Sequence, residues 1–364
     1  VTTAVETRRD RITKLRVELA NHGLDAALLT HGPNVRYLSG FSGSSGMFVV
    51  LPEEAGLITD FRYAEQAGAE VDGVAEVLVA VDGLSSMLAE RLRDRSQVRT
   101  VGFEAGYVSV RDRRELGERC GSVVWDDLPQ TVERLRAVKD SAELASIDRA
   151  VQVAERALEE TLTAVDEGMT ELELATELRY RLALQGSTGE PFETIVASGE
   201  RTALPHASPS GRCLREGDLL LLDFGATVDG YCSDITRTVV LGTPTARQRE
   251  IHARVLEAQQ AALAAIRPGC QAADVDRAAR ESLAAAELGD RFGHSVGHGI
   301  GLEVHEAPRL YRKSKDTLEA GNVVTVEPGV YLAGEGGVRV EENVVVVEAG
   351  HRVLTSSSTA LREL

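Results

Sequence analysis

Apolar and polar positions alternate along this chain with two different periods, and each change of period marks an element. From about residue 8 to 130 the pattern is mixed. A helical stretch over Arg11–His22 leads into the short apolar run DAALLT. NVRYLSGFSGSSGMFVVL then reads as loop followed by strand, and AGLITDFRY and AEVLVAV read as further strands. Helices and strands in alternation predict an α/β domain.

LPQTVERLRAVKDSAELASIDRA follows as a bridge, with Asp140 and Glu143 spaced as a capping box that opens a long helix. Beyond it the order of elements repeats. A helix pair is predicted over about 141–186, with Thr170 and Glu173 capping its second helix and Gly186 ending it. A strand pair follows over about 218–241, a second helix pair over about 246–288 broken at Pro268-Gly269, and strands again over about 322–348. Even the entries to the second helix of each pair are alike, GMTELELA from Gly168 and GCQAADVD from Gly269. The order helices, hairpin, helices, hairpin predicts a duplicated, pseudo-twofold α+β domain. The expected division is therefore 1–130 for the first domain and 131–364 for the second. The length of 364 residues agrees with two hydrophobic cores.

Composition narrows the class. With 43% hydrophobic and 27% charged residues the chain has an ordinary globular balance. The longest apolar runs, Leu219–Leu222 and Val344–Val347, are strand-sized, so no membrane span is expected. The N-terminal VTTAVETRRDRITKLR has no apolar leader, which gives a cytoplasmic expectation. Cys120, Cys213, Cys232 and Cys270 are scattered without a C-x-x-C pair, as expected of small buried side chains rather than a redox or zinc site. The net charge of −17, from 57 acidic against 40 basic residues, argues against nucleic acid as a partner. The glycine-rich GFSGSSG lacks the lysine and the helix start of a phosphate loop.

The acidic residues inside apolar strands carry the chemistry. In LLLLDFGATVDGYCSDITRTVVLG, Asp223 ends the leucine run and Asp234 lies on the returning strand. A four-residue loop Thr227–Gly230 would place the two directly opposite. A two-residue turn Asp229-Gly230 would make them diagonal neighbours on one face. Either register brings the carboxylates within roughly 5–8 Å. The second hairpin repeats the arrangement. Glu327 ends the strand of VVTVEPGVYL, and Glu341 lies in GGVRVEENVVVVEAG on the face of Arg339 and Asn343. Four convergent carboxylates stay ionised in a dry site only with about two divalent cations among them, roughly 3.5–4 Å apart.

Three of the eight histidines, His294, His298 and His305, fall in FGHSVGHGIGLEVHEAP, where Gly293, Gly297, Gly299 and Gly301 argue for loop and strand rather than helix. One imidazole suits a carboxylate metal site, and the others would donate hydrogen bonds to substrate. His206, in LPHASPSGR, reads by itself as a loop residue.

The aspartates of LDFG and SDITRT, the histidine of GHGIGLEVHE and the glutamates of VEPGVY and VRVEEN, in this order, resemble the metal-binding set of the pita-bread metallopeptidases. That family includes Xaa-Pro aminopeptidase, prolidase and methionine aminopeptidase. NVRYLSGFSGSSG and ITDFRYAEQA resemble the N-terminal domain of the proline-specific branch and of creatinase. The resemblance covers essentially the whole chain. It implies an α/β creatinase/prolidase-like N-terminal domain followed by a catalytic α+β pita-bread domain.

It also implies two divalent ions, Mn²⁺ foremost with Co²⁺ or Zn²⁺ acceptable, held by Asp223, Asp234, His298, Glu327 and Glu341. Asp234 and Glu341 would bridge, with Asp223 on one ion and His298 on the other. His206, His294 and His305 match substrate-side histidines, and Arg339 matches an arginine near the bridging glutamate. One departure is visible: Ala207 stands where many proline-specific relatives carry a second histidine.

The implied reaction is hydrolysis of an N-terminal Xaa-Pro peptide bond in small peptides by a metal-activated water. Glu327 would carry the proton, His206 with His294 would stabilise the oxyanion, and His305 and Arg339 would orient the substrate. A homodimer is expected from the same resemblance. The rivals are a methionine or general aminopeptidase, a creatinase-like hydrolase and a non-enzymatic binding protein on the same scaffold. The N-terminal domain disfavours a methionine aminopeptidase, and the complete ligand set disfavours the creatinase-like and non-enzymatic readings.

Overall fold

A computed structural model describes residues 3–93, 95–121 and 123–364. The chain folds as two compact units, Val1–Arg136 and Ala137–Leu364.

In the first unit, α1 (Ala4–Asn21) begins seven residues before the expected helix, because Thr3 and Glu6 form a reciprocal capping box. The strands are β1 (Ala26–Leu29), β2 (Gly46–Val50), β3 (Ala55–Asp60), β4 (Glu76–Ala80), β5 (Thr100–Phe103) and β6 (Val124–Asp127). Helices α2 (Gly32–Ser39), α3 (Ala64–Glu70), α4 (Leu84–Arg93), α5 (Val110–Arg119) and α6 (Thr131–Ala137) are interspersed with them. The strands form one sheet in the order β4-β3-β2-β1-β5-β6. β1 pairs parallel with β5 and antiparallel with β2, so this is the expected mixed α/β domain.

The second unit carries two helix pairs. α7 (Ser141–Leu162) opens on the Asp140–Glu143 capping box and α8 (Glu171–Leu184) on the Thr170–Glu173 box, as the spacing predicts. α8 ends where the Gly186 N–H donates to Ala183 and the Ser187 N–H to Leu182, a Schellman closure. α9 (Ala246–Ala265) and α10 (Ala272–Ala285) form the second pair, interrupted around Pro268-Gly269. Three strands follow the first pair in antiparallel order β11-β8-β7: β7 (Ile195–Ser198), β8 (Leu219–Phe224) and β11 (Ile235–Val240). The short β9 (Thr227–Val228) and β10 (Tyr231–Cys232) close the hairpin tip. After the second pair come β12 (Gly297–Gly299), β13 (Glu306–Leu310), β14 (Val323–Val326), β15 (Gly329–Leu332), β16 (Gly336–Arg339), β17 (Glu342–Val347) and β18 (Gly350–Val353). Five of them form a sheet in the order β13-β12-β14-β17-β18, and β15 pairs with β16.

Both halves thus contain a hairpin split into a root pair and a tip pair, β8–β11 with β9–β10 and β14–β17 with β15–β16. The first register is the two-residue one: Tyr231 pairs with Val228 and Thr236 with Asp223, which leaves Asp223 and Asp234 diagonal. Its cause is local. Asp229 and Gly230 both have positive φ, 50° and 78°, as a type I′ turn demands. In the second hairpin the pairs Val326–Glu342 and Gly329–Arg339 bracket Glu327 and Glu341 at facing positions. Pro328, which cannot donate to a ladder, stands at that break.

The leucine run of β8 is buried on both faces, which explains why it does not alternate. Leu220 and Leu222 pack into a core with α7 and α8, and Leu219 packs into the core around α9 and α10. At about 25 cal/mol per Å², burying each leucine contributes roughly 2 kcal/mol and pins the strand that carries Asp223.

Candidate metal centre

The four carboxylates sit where the hairpins break. Asp223 is near the end of β8, Asp234 lies between β10 and β11, Glu327 follows β14, and Glu341 lies between β16 and β17. Broken ladders free side chains on both strands to turn toward one another. Backbone order is kept by Asn343, whose amide donates to the Asp234 carbonyl and accepts from its N–H, and by Glu341 N–H donating to Thr236 O at 3.2 Å.

The side chains converge. One donor atom each from Asp234, His298 and Glu341 lie within 4.8 Å of one another, all three residues buried. His298 Nε2 is 3.4 Å from Glu327 Oε1 and 3.6 Å from Asp234 Oδ2. Its Nδ1 donates to the Gly299 carbonyl at 3.1 Å, so in the neutral ring Nε2 presents a lone pair to the carboxylates. Asp223 accepts from Arg339, and Glu341 Oε2 accepts from Thr236 Oγ1 at 2.7 Å. These groups line one cavity of about 820 Å³ together with His206, His294, His305 and the apolar Phe192, Ile195 and Val304.

Electrostatics identify what the cluster lacks. Burial, then the charges of Glu341, Asp223 and Glu327, pushes Asp234 well above its ordinary range. Burial, then Glu327 and Asp223, does the same to Glu341. Asp223 is also raised, burial outweighing its arginine partner. Glu327 alone is lowered: burial opposes ionisation, but the close approach of His298 and the charge of Arg339 prevail. Oδ1 of Asp223, Oδ1 of Asp234 and Oε1 of Glu341 are buried and accept no hydrogen bond from any described residue. Carboxyl oxygens left without donors, beside an imidazole lone pair, fit the donor set of divalent cations.

The substrate-side residues divide. His206 and His305 are exposed at the cavity wall, the His305 ring 4.3 Å from that of His298. His294 is half-buried, with Nδ1 donating to Ser295 O at 2.8 Å and Nε2 accepting from the Tyr331 hydroxyl at 2.8 Å. Both nitrogens are engaged, so the expectation of an oxyanion donor at His294 is not matched by a free N–H. Burial lowers its pKa, in keeping with a neutral ring.

Arg339 departs from expectation in the same way. Its Nε donates to Thr236 Oγ1 at 3.0 Å and its Nη1 to the Tyr331 hydroxyl at 2.9 Å and Pro205 O at 3.3 Å, while Nη2 pairs with Asp223. These contacts brace Asp223 at the cavity that Arg339 lines. Tyr331, which sequence reasoning missed, links these two groups, and burial pushes its hydroxyl up to about 12. Its one signal is position, on the strand just after Glu327. Asp276 was missed as well. It accepts from Arg280 at 2.6 and 3.0 Å and from Val296 N–H at 3.1 Å, while Arg280 donates to the carbonyls of Phe292 and His294. Among the described residues no helix is long and apolar enough to cross a membrane.

Comparison with known proteins places this geometry. The chain is 32% identical to an Xaa-Pro dipeptidase of Pyrococcus horikoshii over 358 residues, covering 97% of this chain and 98% of that one. It superposes on the structure of an Xaa-Pro dipeptidase from Bacillus anthracis with TM-score 0.95 at 37% identity, covering 98% and 100% of the two chains. An X-Pro aminopeptidase from Thermotoga maritima matches with TM-score 0.89 at 38% identity, over 94% and 98%. Residues 11–138 match the creatinase/prolidase N-terminal domain, and residues 145–348, which hold every carboxylate and histidine of the cavity, match metallopeptidase family M24. The buried, donorless oxygens fit a divalent-metal site, and the chain belongs to metallopeptidase family M24.

Proposed function

We propose that this protein hydrolyses the N-terminal Xaa-Pro bond of small peptides, as an Xaa-Pro dipeptidase or aminopeptidase. Catalysis is assigned to the domain from about residue 131 onward, with 1–130 as the N-terminal domain. The observation that carries the reading is the convergence of Asp223, Asp234, Glu327, Glu341 and His298 on one cavity, with three carboxylate oxygens lacking donors. These five would hold two divalent ions, Mn²⁺ foremost and Co²⁺ or Zn²⁺ acceptable. When bound, the ions supply Lewis acidity that makes hydroxide available near neutral pH and polarises the scissile carbonyl.

The protein's own groups do the rest. Glu327, held ionised beside His298, accepts the proton released on attack and passes it to the leaving nitrogen. His206, exposed at the cavity wall and free of ring hydrogen bonds among the described residues, donates to the developing oxyanion. His305 offers a second donor further along the wall. Arg339 and His294 fix Asp223 and Tyr331 in place.

Proline in second position is supported by the two relatives' names and by the apolar wall of Phe192, Ile195 and Val304. Proline has no N–H, so a wall without an acceptor there selects it, whereas another residue would bury an unpaired donor at about 1–3 kcal/mol. A cytoplasmic homodimer completes the reading. The reducing compartment is supported by four free cysteines, and the dimer by the family resemblance.

The test compares Ala-Pro-Ala with Ala-Ala-Ala and Met-Ala-Ala on Mn²⁺-loaded protein. A preference of roughly a hundredfold or more in kcat/KM for the proline peptide is expected. Equal rates would mean a general aminopeptidase, and preference for the methionine peptide a methionine aminopeptidase.

A further inference from the structure

His206 poses a positioning problem. It sits on an irregular segment between the end of β7 and Ser210, and among the described residues its ring makes no hydrogen bond that would orient it. Its placement is therefore set by the backbone path of the loop. Three ties define that path. At the tip, Arg339 donates to Pro205 O at 3.3 Å. Midway, Thr202 Oγ1 accepts from Gly337 N–H at 2.7 Å and donates to Gly199 O at 2.7 Å. A Cβ on Gly337 would lie 2.3 Å from Thr202 O, so only glycine lets β16 approach the loop this closely.

The third tie is the strongest and lies outside the cavity. Glu171, in the first turn of α8, is 0% exposed. Its Oε1 accepts from the Ser198 N–H and hydroxyl, both at 2.8 Å. Its Oε2 accepts from the Ser210 N–H at 3.0 Å and the Ser210 hydroxyl at 2.6 Å. Arg201 Nε stands 3.2 and 3.0 Å from the two oxygens, and Arg201 Nη2 donates to Ser208 O at 2.8 Å. One buried carboxylate thus ties residues on both sides of His206. A buried ion pair contributes little net stability compared with apolar packing, whereas the geometric constraint it imposes is large.

We propose that Glu171, together with Arg201, is the positioning residue for His206. It closes the 198–210 loop at its base and so sets where the imidazole stands over the reacting carbonyl. This inference rests on the transition-state role given to His206 above. It names a device remote from the metal ligands that governs turnover and leaves ion binding alone.

The test is a double-mutant cycle with Glu171→Gln and His206→Ala in the Mn²⁺-loaded protein. The amide keeps the size of Glu171 but loses the charge, and it turns a donor toward serine N–H groups that need an acceptor. Expected in Glu171→Gln is a fall in kcat of roughly 10–100-fold, the scale of an ångström of misplacement, with KM and metal content little changed. In the His206→Ala background the same substitution should lower kcat less than twofold, because the group it positions is gone. A purely structural role would lower kcat alike in both backgrounds and would overturn the proposal.

A second readout needs no turnover. In the metal-free protein the Cε1–Hε1 NMR resonance of His206, assigned with His206→Ala, should shift or broaden in Glu171→Gln while that of His305 stays fixed. An unmoved His206 resonance overturns the proposal even if the enzyme proves to cleave other peptides. A moved one upholds it even if Xaa-Pro turnover is absent. Ser210→Ala, a milder lesion at the same carboxylate, should move both readouts in the same direction if Glu171→Gln fails to fold.

Discussion

Glu341→Gln should stabilise the metal-free protein and weaken the metal-loaded one. Glu341 is 1% exposed and one of its oxygens has no donor, and Asp234 presents a second such oxygen. Their donor atoms lie within 4.8 Å of each other. At an effective dielectric of about 20, two unit charges at that separation repel by about 3 kcal/mol. Glutamine keeps the volume, removes one charge and brings an N–H that can donate to Asp234. For a unit the size of Ala137–Leu364, that corresponds to a rise in Tm of roughly 6–12 °C when fully expressed.

The sign with pH follows from the raised Glu341 pKa. The folded wild type holds a proton that the unfolded chain releases near 4.5, so metal-free wild-type stability falls as pH rises above that value. The variant lacks this slope, and its advantage widens from pH 5 toward pH 9. Saturating Mn²⁺ should invert the order. At a hundredfold excess over Kd the wild type gains about 2.7 kcal/mol, and the variant, short of an anionic shared ligand, gains much less. Calorimetry on chelated and Mn²⁺-saturated samples of both proteins resolves the C-terminal unit's transition. A metal-free variant melting at or below wild type at pH 9 would refute the repulsion argument.

Three further outcomes follow from other parts of the same unit. Asp276→Asn leaves the half-buried Arg280 without its anion and should lower stability by about 2–3 kcal/mol by urea titration, and a loss under 1 kcal/mol would contradict the pairing. Burial lowers His252 to about 4 against 6.5 unfolded, so the unfolded chain takes up the proton first as pH falls. Stability is then lost from pH 6.5 down to 4, about 2 kcal/mol of it between pH 7 and 5, and metal-free His252→Gln should lack that slope. Arg339→Lys keeps the charge but cannot reach Asp223, Thr236, Tyr331 and Pro205 together, so kcat/KM should fall roughly tenfold to a hundredfold at unchanged protein folding by circular dichroism.

What could be read from sequence was local or strictly periodic. The Asp140–Glu143 and Thr170–Glu173 boxes are decided by residues three apart, and both form as the spacing predicts. The Thr3–Glu6 box follows the same rule and went unread because no apolar periodicity follows it closely. The hairpin register stayed open between two turns, since Asp229-Gly230 suits both a four-residue loop and a type I′ turn. Only the backbone, with both φ values positive, decides between them. β7 was invisible for another reason. It is four residues long, and its partner β8 comes later, beyond a long loop. A short strand whose edge is supplied from far along the chain carries no period of its own.

The site shows the same division at the level of side chains. Residue type and placement pointed to Asp223, Asp234, Glu327 and Glu341 as one cluster, because carboxylates at the ends of apolar strands are costly to bury unless a cation neutralises them, and the family resemblance singled out His298 among three histidines. Residue type could not say what Arg339 and His294 do, since an arginine or histidine beside a cavity can face inward or outward. That depends on where each donor ends. Arg339 turns its guanidinium to Asp223, Thr236, Tyr331 and Pro205, and His294 turns its ring to Ser295 and Tyr331. Both line the cavity with their donors engaged inside the protein, whereas His206 and His305 are exposed at its wall. The positively charged and neutral donors nearest the carboxylates are thus braces. On the proposed reading His206 meets the reacting carbonyl, and with no ring hydrogen bond among the described residues its position depends on a loop tied at its base by Glu171.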